Sequence, residues 1–432
     1  MNLVNGEIIS DYECDRVLLN LDRLIFETLQ KPSLDIDLLI NACDYMVKNI
    51  DSFSILSRLP EFGIDERLAN IFIEQIKQML SADSLRKRLH VELGTDFNKP
   101  KTLTYLSGDT AMQTVSPLGV LFHITAGNVD GLPFVSLLDG LLAGNINIVK
   151  LPKEEGGITV ALLLELFKIV PQLKEFVYVF DYTSKDISAM TRLAKIANAV
   201  VVWGGDEAVS AVRKMVDPNT KIIEWGHKIS FAYITKSGAD QQQLEKLALQ
   251  ICITNQLFCS SCQGIFLDTD DMYDVYDFCD KFLPVLEKVS QNNQTHSVAE
   301  KLFADAGATM QLYTKQIEER RNESRLFKGR YCSLYTQPDS KLEPSVMNRN
   351  LWVKPLKKDD ILNLRIYKNY LQTAALICGD DEYGCLSEKL LKAGLVKISD
   401  GLQMSNYAPC EAHDGVFPLR CYTKIVSVQQ RK

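Results

Sequence analysis

The residues of this chain best suited to covalent chemistry lie in one short segment, Asn255-Gln-Leu-Phe-Cys259-Ser-Ser-Cys262-Gln263. The pattern places it between a predicted helix and a predicted strand. A cysteine flanked there by small polar residues can expose its sulfur and collect backbone N–H donors. Such donors favour the thiolate, which is the attacking form; an unperturbed thiol with a pKa of ~8.5 is only a few per cent ionised at neutral pH. The competing reading is a buried, inert structural cysteine. Four other segments carry polar groups at strand ends. Glu224 stands in Ile222-Ile-Glu224-Trp-Gly-His-Lys228, a strand end running into a turn, where pairing with Lys228 or another cation is the ordinary reading. Asn128 stands in Thr125-Ala-Gly-Asn128-Val-Asp-Gly-Leu-Pro133, just beyond the first parallel strand, where a turn residue is the ordinary reading. Lys150 closes Ile148-Val-Lys-Leu-Pro152, and Trp203-Gly-Gly-Asp206 closes a later apolar run. A strand-terminal lysine and a Gly-Gly turn are also ordinary structural features.

Other chemistries find less support. No Gly-x-Gly-x-x-Gly follows a strand, and no Gly-rich loop ends in Lys-Ser/Thr. The five histidines (His90, His123, His227, His296 and His413) are scattered, and no second ligand pair completes Cys259-Ser-Ser-Cys262 as a zinc site. No resident metal is expected.

The elements that must position these groups follow from the spacing of apolar residues. Residues 1–100 read as helices packing on the domain that follows, and residues 101–118 as a hairpin around a Ser-Gly-Asp turn. From residue 119, short apolar strands (Val120–Thr125, Ile146–Leu151, Phe176–Tyr182 and Ala199–Trp203) alternate with helical runs Leu132–Ala143, Ile158–Ile169 and Ile187–Ala197. Continuous apolar strands joined by helical crossovers predict a doubly wound parallel sheet, which binds ligands beyond the carboxyl ends of its strands. A second α/β series begins near residue 229, with strands Ile229–Thr235, Gly264–Asp268, Leu351–Val353 and Leu371–Cys378. Its helical runs are Asp240–Thr254, Met272–Val289 and Ser297–Arg321; Arg420–Val428 returns to β-formers. The expected division is 1–100, 101–227 for a dinucleotide, 228–405 for the thiol, and a C-terminal β segment over 406–432.

Composition narrows the classes. Over 432 residues, 46% hydrophobic and 24% charged, the chain can bury large cores. A net charge of −7 without a basic, aromatic-interleaved block argues against nucleic-acid binding. The most apolar region, Val115–Pro152, is broken by His123, Asn128, Asp130 and Asp139, which excludes a membrane span there. The first thirty residues lack a secretory pattern, so the eleven cysteines read as reduced thiols of a cytoplasmic protein.

Taken together, SPLGVLFHITAGNVDGLP, INIVKLP, VVVWGGDEAV, IIEWGHKISFA and NQLFCSS resemble the aldehyde dehydrogenase superfamily, and within it the LuxC-type acyl-CoA reductases. The likeness runs from about Val115 to Phe266, with weaker echoes in Asn350-Leu-Trp-Val-Lys-Pro355 and His413-Asp-Gly-Val-Phe-Pro-Leu419. The resemblance implies an aldehyde-dehydrogenase-like α/β fold, with a cofactor domain, a catalytic domain and a helical N-terminal segment. It implies Cys259 as the acyl-accepting nucleophile, Asn128 in the oxyanion hole, and Glu224 as a proton-transfer group or, in aldehyde-oxidising relatives, the base that activates water. Thr125, Ala126, Lys150, Pro152, Trp203, Gly204, Gly205 and Glu207 fall where the family binds its dinucleotide, NADPH or alternatively NADH. The implied reaction is reduction of an acyl-CoA or acyl-protein thioester to an aldehyde, in a homo-oligomer that uses the 101–118 hairpin as an arm and works beside an acyl-activating ligase. Alternatives are an aldehyde dehydrogenase releasing free acid, a cofactor-free cysteine acyltransferase, and a thiol-redox module needing both Cys259 and Cys262. Proline is more usual than cysteine at position 262, so a second thiol is a departure; it is either inert or the partner in a reversible disulfide.

Overall fold

The computed structural model describes residues 1–50, 66–127, 131–153, 155, 157–293, 298–319, 323–406 and 408–429. The chain divides into two compact units: Met1–Gly226 together with Tyr407–Lys432, and His227–Asn406.

The first unit opens with a feature the helical expectation missed. β1 (Asn2–Val4) and β2 (Glu7–Ile9) pair antiparallel around Asn5-Gly6. Both turn residues have positive φ, 51° and 79°. That is the geometry a two-residue Asn-Gly hairpin demands, and the flanking Leu3-Val4 and Ile8-Ile9 supply the strands. β1 then pairs antiparallel with the edge of the main sheet. Helices α1 (Asp11–Leu29), α2 (Ile36–Lys48), α3 (Glu66–Leu80) and α4 (Ala82–Leu93) follow, α1 opening on a capping box of Ser10 and Glu13. β3 (Lys101–Thr104) and β4 (Thr110–Pro117) form an antiparallel hairpin.

The alternating series then builds the sheet: β5 (Val120–Ile124), α5 (Leu132–Leu142), β6 (Ile146–Lys150), α6 (Ile158–Ile169), β7 (Val177–Phe180), α7 (Ile187–Ile196), β8 (Ala199–Trp203), α8 (Asp206–Met215) and β9 (Lys221–Trp225). Strand order is β2-β1-β7-β6-β5-β8-β9, with β5 to β9 parallel. The chain steps from β5 outward through β6 and β7, then returns to the other side of β5 for β8. The topological switch therefore lies between β5 and β8, where a doubly wound sheet opens its ligand crevice. α5 packs closely on β6: a Cβ at Gly140 would stand 1.8 Å from Asn147 Oδ1.

The second unit contains β10 (Ile229–Ile234), α9 (Gln241–Thr254), β11 (Cys262–Leu267), α10 (Met272–Asn292), α11 (Val298–Glu319), β12 (Leu326–Lys328), β13 (Ser333–Thr336), β14 (Asn350–Pro355), β15 (Leu371–Ile377), α12 (Asp380–Ala393) and β16 (Lys397–Ser399). Its sheet runs β12-β13-β14-β11-β10-β15-β16, parallel except at β12. α9 and α10 bury one face; α11 and α12 contribute to the core on the other. Gly264 is required by β14, because a Cβ there would meet the Trp352 ring at 2.0 Å.

The chain finally returns to the first unit. α13 (Pro418–Cys421) precedes β17 (Thr423–Gln429), so the expected Arg420–Val428 strand begins three residues later, after a helical turn. β17 pairs antiparallel with β4 to make a three-stranded sheet. A buried ionic cluster anchors this return. Arg88 holds Asp139 through two bonds (2.5 and 2.8 Å) and Glu92 through a third (2.5 Å), while the second Glu92 oxygen accepts the Leu419 N–H at 2.8 Å.

Candidate active site

Within the second unit, the loop between α9 and β11 carries Cys259, and its shape is imposed from both ends. Asn255 and Gln256 turn the chain out of α9 with φ of 47° and 64°. The wholly buried Gln256 amide donates to the carbonyl of Cys262 (3.0 Å) and to Ser345 Oγ (3.1 Å), and its oxygen accepts the Asn350 N–H (3.1 Å). Gln263 answers by donating to the Gln256 carbonyl at 2.8 Å. Arg349, itself in a left-handed run from Met347 to Arg349, lies fully buried behind this loop. Its guanidinium reaches Asn255 Oδ1 (3.1 Å), the carbonyls of Cys252 (3.4 Å) and Ser290 (3.0 Å), and that of Asn293. These carbonyls belong to the C-terminal ends of α9 and α10, where a cation complements the helix dipole.

Cys259 follows the first residue of a tight turn, closed by Ser261 N–H to the Phe258 carbonyl (3.0 Å) and by Phe258 N–H to Ser261 Oγ (3.1 Å). Its side chain is exposed, so the buried-cysteine reading does not apply to it. Two strands behind the loop touch this residue. Ser230 Oγ, on β10, donates to the Cys259 carbonyl at 2.7 Å. The Gln372 side-chain amide, on β15, donates to Cys259 Sγ at 3.3 Å. Sequence reasoning missed Gln372: an amide inside the apolar run LQTAALIC carries no motif.

Cys262 contrasts with Cys259. It lies fully buried in the core, its thiol donates to the Gly264 carbonyl at 3.2 Å, and burial pushes its pKa up to about 12. Protonated and sealed, it has neither the ionisation nor the access that redox partnering requires.

In the first unit, several expected cofactor residues cluster at strand exits. Thr125 Oγ1 donates to the Lys150 carbonyl at 3.3 Å, joining the ends of β5 and β6. Thr125, Lys150 and Pro152 are buried, Ala126 is half-buried, and Glu207 is exposed in the first turn of α8. Gly204 donates to the Trp225 carbonyl (3.2 Å), and Gly205 starts α8 with open space where a Cβ would be. The first turn of α6 is filled by Glu155, whose carboxylate accepts the N–H groups of Gly157 (2.8 Å) and Thr159 (2.7 Å). That of α7 is capped by Asp186. α5 and α8, which flank the switch point, instead begin at Gly131 and Gly205, which have no side chain to cap with. Among the described residues no side chain caps the first turn of α5 or α8, and Gly205 allows close backbone approach, which suits a dinucleotide, while Asp206 and Glu207 set two carboxylates in the first turn of α8.

Trp203 is more than part of that turn. Its indole N–H donates to Ser136 Oγ (2.9 Å), which bonds His123 Nδ1 (2.7 Å); His123 Nε2 meets Asn147 Oδ1 at 3.0 Å. Burial lowers the His123 pKa to about 4, so the ring is neutral and fixes α5 against β5 and β6. Trp203 also stacks on Trp225 (5.3 Å between ring centres), and His413 packs against both. The weak C-terminal echo therefore lies beside the β8 and β9 exits.

Glu224 is held by Arg213 of α8 through two bonds, 2.5 and 2.6 Å, while Lys228 donates to the Asn369 carbonyl (2.8 Å). Asn128 lies outside the described residues.

Comparison with solved structures defines the class. The chain resembles NADP-dependent glyceraldehyde-3-phosphate dehydrogenase from Bacillus halodurans, with a TM-score of 0.72, 15% identity, and coverage of 99% of this chain and 98% of that one. It resembles Staphylococcus aureus betaine aldehyde dehydrogenase similarly, with a TM-score of 0.73, 13% identity, and coverage of 100% and 94%. The fold is that of the aldehyde dehydrogenases. The acyl-CoA reductase (LuxC) family model matches residues 39–425, and the chain belongs to that family. It is 24% identical over 321 residues to the long-chain acyl-protein thioester reductase of Aliivibrio fischeri, covering 72% of this chain but only 64% of that protein. To the reductase of the same name from Vibrio harveyi it is 22% identical over 378 residues, covering 86% of this chain and 77% of the relative.

Proposed function

We propose that this protein reduces an activated acyl thioester to the aldehyde through an acyl-enzyme on Cys259. The observation that carries the reading is an exposed thiol on a loop fixed at both ends, its sulfur touched by a buried amide donor. Cys259 thiolate attacks the thioester carbonyl, a new C–S bond forms, and the donor thiolate leaves and takes up a proton. Asn128 is the proposed oxyanion donor, a role typically worth ~3–4 kcal/mol in the transition state. Residues at the β5, β6 and β8 exits would hold a reduced nicotinamide dinucleotide, which would supply the hydride that the acyl carbon takes up. The thiohemiacetal on Sγ then collapses, releasing the aldehyde and regenerating the Cys259 thiolate.

Glu224 bears on the choice between reduction and oxidation to free acid. Both of its oxygens are engaged by Arg213, so Glu224 stands in an ion pair rather than turned to a water, and this supports the reductase reading. The acyl donor is proposed to be acyl-CoA or an acylated protein, the latter supported by the names of the relatives. NADPH is the proposed reductant with NADH as the alternative, because charges at the β6 exit oppose one another. Lys150 would attract a 2′-phosphate, whereas Glu155 fills the neighbouring helix terminus and would repel one. A cytoplasmic homo-oligomer working beside an acyl-activating ligase completes the proposal.

Incubation with a panel of acyl-CoAs and an acylated carrier protein, with each reduced cofactor, tests this. Aldehyde formed in step with thiol release and nicotinamide oxidation is expected. Acid formation from aldehyde without thiol release, or acyl transfer with no nicotinamide consumed, overturns it.

A further inference from the structure

We propose that Gln372 is a catalytic residue, whose side-chain N–H stabilises the Cys259 thiolate both before attack and as it departs from the thiohemiacetal. The inference rests on the assignment of Cys259 as nucleophile and names a second group acting on the same atom. Gln372 is only 5% exposed, and its amide nitrogen meets the sulfur at 3.3 Å. On its other side the amide oxygen stands 3.4 Å from Ser230 Oγ, a weak second acceptor for the hydroxyl proton that goes mainly to the Cys259 carbonyl. Ser230 is itself oriented: its oxygen accepts the Thr373 N–H (3.1 Å) and its proton goes to the Cys259 carbonyl (2.7 Å). The neighbouring strands β10 and β15 thus grip Cys259 by carbonyl and sulfur.

The sheet is irregular at this point. Ile229 pairs with Leu371 but Phe231 pairs with Ala374, so β15 carries one extra residue across from Ser230. β11 carries another on the opposite side of β10, since Ser230 pairs with Cys262 but Ala232 with Ile265. Such bulges interrupt a ladder and re-aim side chains, and they concentrate beside functional groups. The buried Gln372 amide at the extra residue of β15 is the group delivered to the sulfur.

An amide suits the task. It cannot lose its donor by titration, so the stabilisation persists at every working pH, and it cannot hand over a proton that would quench the nucleophile. A thiolate accepts such a bond far more strongly than a thioester sulfur does. The contact therefore favours ionised Cys259 over acylated Cys259, and it eases C–S cleavage when the thiohemiacetal breaks down.

The test reads the sulfur directly, with neither acyl donor nor nicotinamide. Iodoacetamide alkylation of the full-length protein is followed against pH and resolved by peptide mass spectrometry, with exposed Cys385 as internal reference. In Gln372→Met the Cys259 midpoint is expected to rise by about one pH unit, and in Gln372→Glu by more, since a carboxylate faces the thiolate. The Cys385 midpoint should not move. The Glu variant keeps the shape of Gln372 and carries the test if the Met variant does not fold. Cys259 midpoints within ~0.3 unit of wild type in the folded variants would overturn the proposal, ordinary shifts at a charged contact being larger. That failure would leave the reductase reading untouched, whereas a shifted midpoint in a protein that forms no aldehyde would strike only the latter.

Discussion

Replacing Arg349 with methionine is expected to open the rear of the Cys259 loop while leaving the first unit intact. Methionine keeps most of the length and the apolar stem but strips four donated hydrogen bonds, to Asn255 Oδ1 and to the carbonyls of Cys252, Ser290 and Asn293. Hydrogen bonds from a charged donor contribute ~1.5–3 kcal/mol each, but carbonyls at helix ends recover part of this by binding water once the loop parts. A buried acceptor left unsatisfied costs ~1–3 kcal/mol, and the lower end of that range for the three carbonyls gives about 3 kcal/mol. At about 1.4 kcal/mol per factor of ten, the opening equilibrium rises ~100-fold. The buried thiols supply a readout for each unit. Cys252 is 1% exposed next to the lost contacts, and Cys43 is fully buried in the first unit. Native-state maleimide labelling with peptide mapping should show Cys252 reacting ~100-fold faster in the variant, provided reclosing outpaces labelling, and Cys43 reacting as before. A Cys252 rate changed less than ~3-fold, or an equal acceleration of Cys43, would refute the reasoning, because additive local contacts could not then account for it.

Arg213→Met should free the Glu224 carboxylate, so acid formed per thiol released should rise, by up to ~100-fold if Glu224 then acts as a general base; Glu224→Gln in the same background should remove the excess. Cys262→Ala is expected to leave aldehyde turnover within about twofold and to cost ~1–2 kcal/mol in urea unfolding, the signature of a core thiol. A turnover loss as severe as that of Cys259→Ser would restore a redox role for the pair. Stability should also depend on His123, whose folded pKa of about 4 lies below its unfolded value of ~6.5. Below pH ~6.5 the unfolded chain takes up a proton that the folded one refuses. Stability is therefore full above that pH and falls by up to ~3 kcal/mol as pH drops towards 4. Urea midpoints of wild type should follow that slope, and those of His123→Gln should lose it.

Much of this was legible in the sequence, because the informative signals were local. Continuous apolar strands separated by helix-length runs marked the central strands of both parallel sheets but not the short β13 and β16, and the roles read at the strand exits await the experiments above. Asn5-Gly6 was equally local, and the helical reading passed over its standard hairpin signal. The remaining gaps have a common cause. Gln372 stands 113 residues from Cys259 and Arg349 stands 94 from Asn255. Only the sheet register and a left-handed turn bring these pairs together, and neither leaves a periodic trace. Glu224 met Arg213 rather than nearby Lys228 because β9 emerges beside α8, a matter of topology. At Cys262 the sequence left two readings open, and burial chose between them.

The tail that packs His413 against two stacked tryptophans and lays β17 along β4 makes the first unit discontinuous in sequence. During synthesis its last strand leaves the ribosome only after the whole of His227–Asn406 has emerged. Until that segment is in place the host lacks a sheet edge and the backbone partner of Glu92, whereas the inserted unit already has its whole chain. A released chain cut short after Asn406 should thus hold a folded thiol-bearing unit beside a host still open to proteolysis.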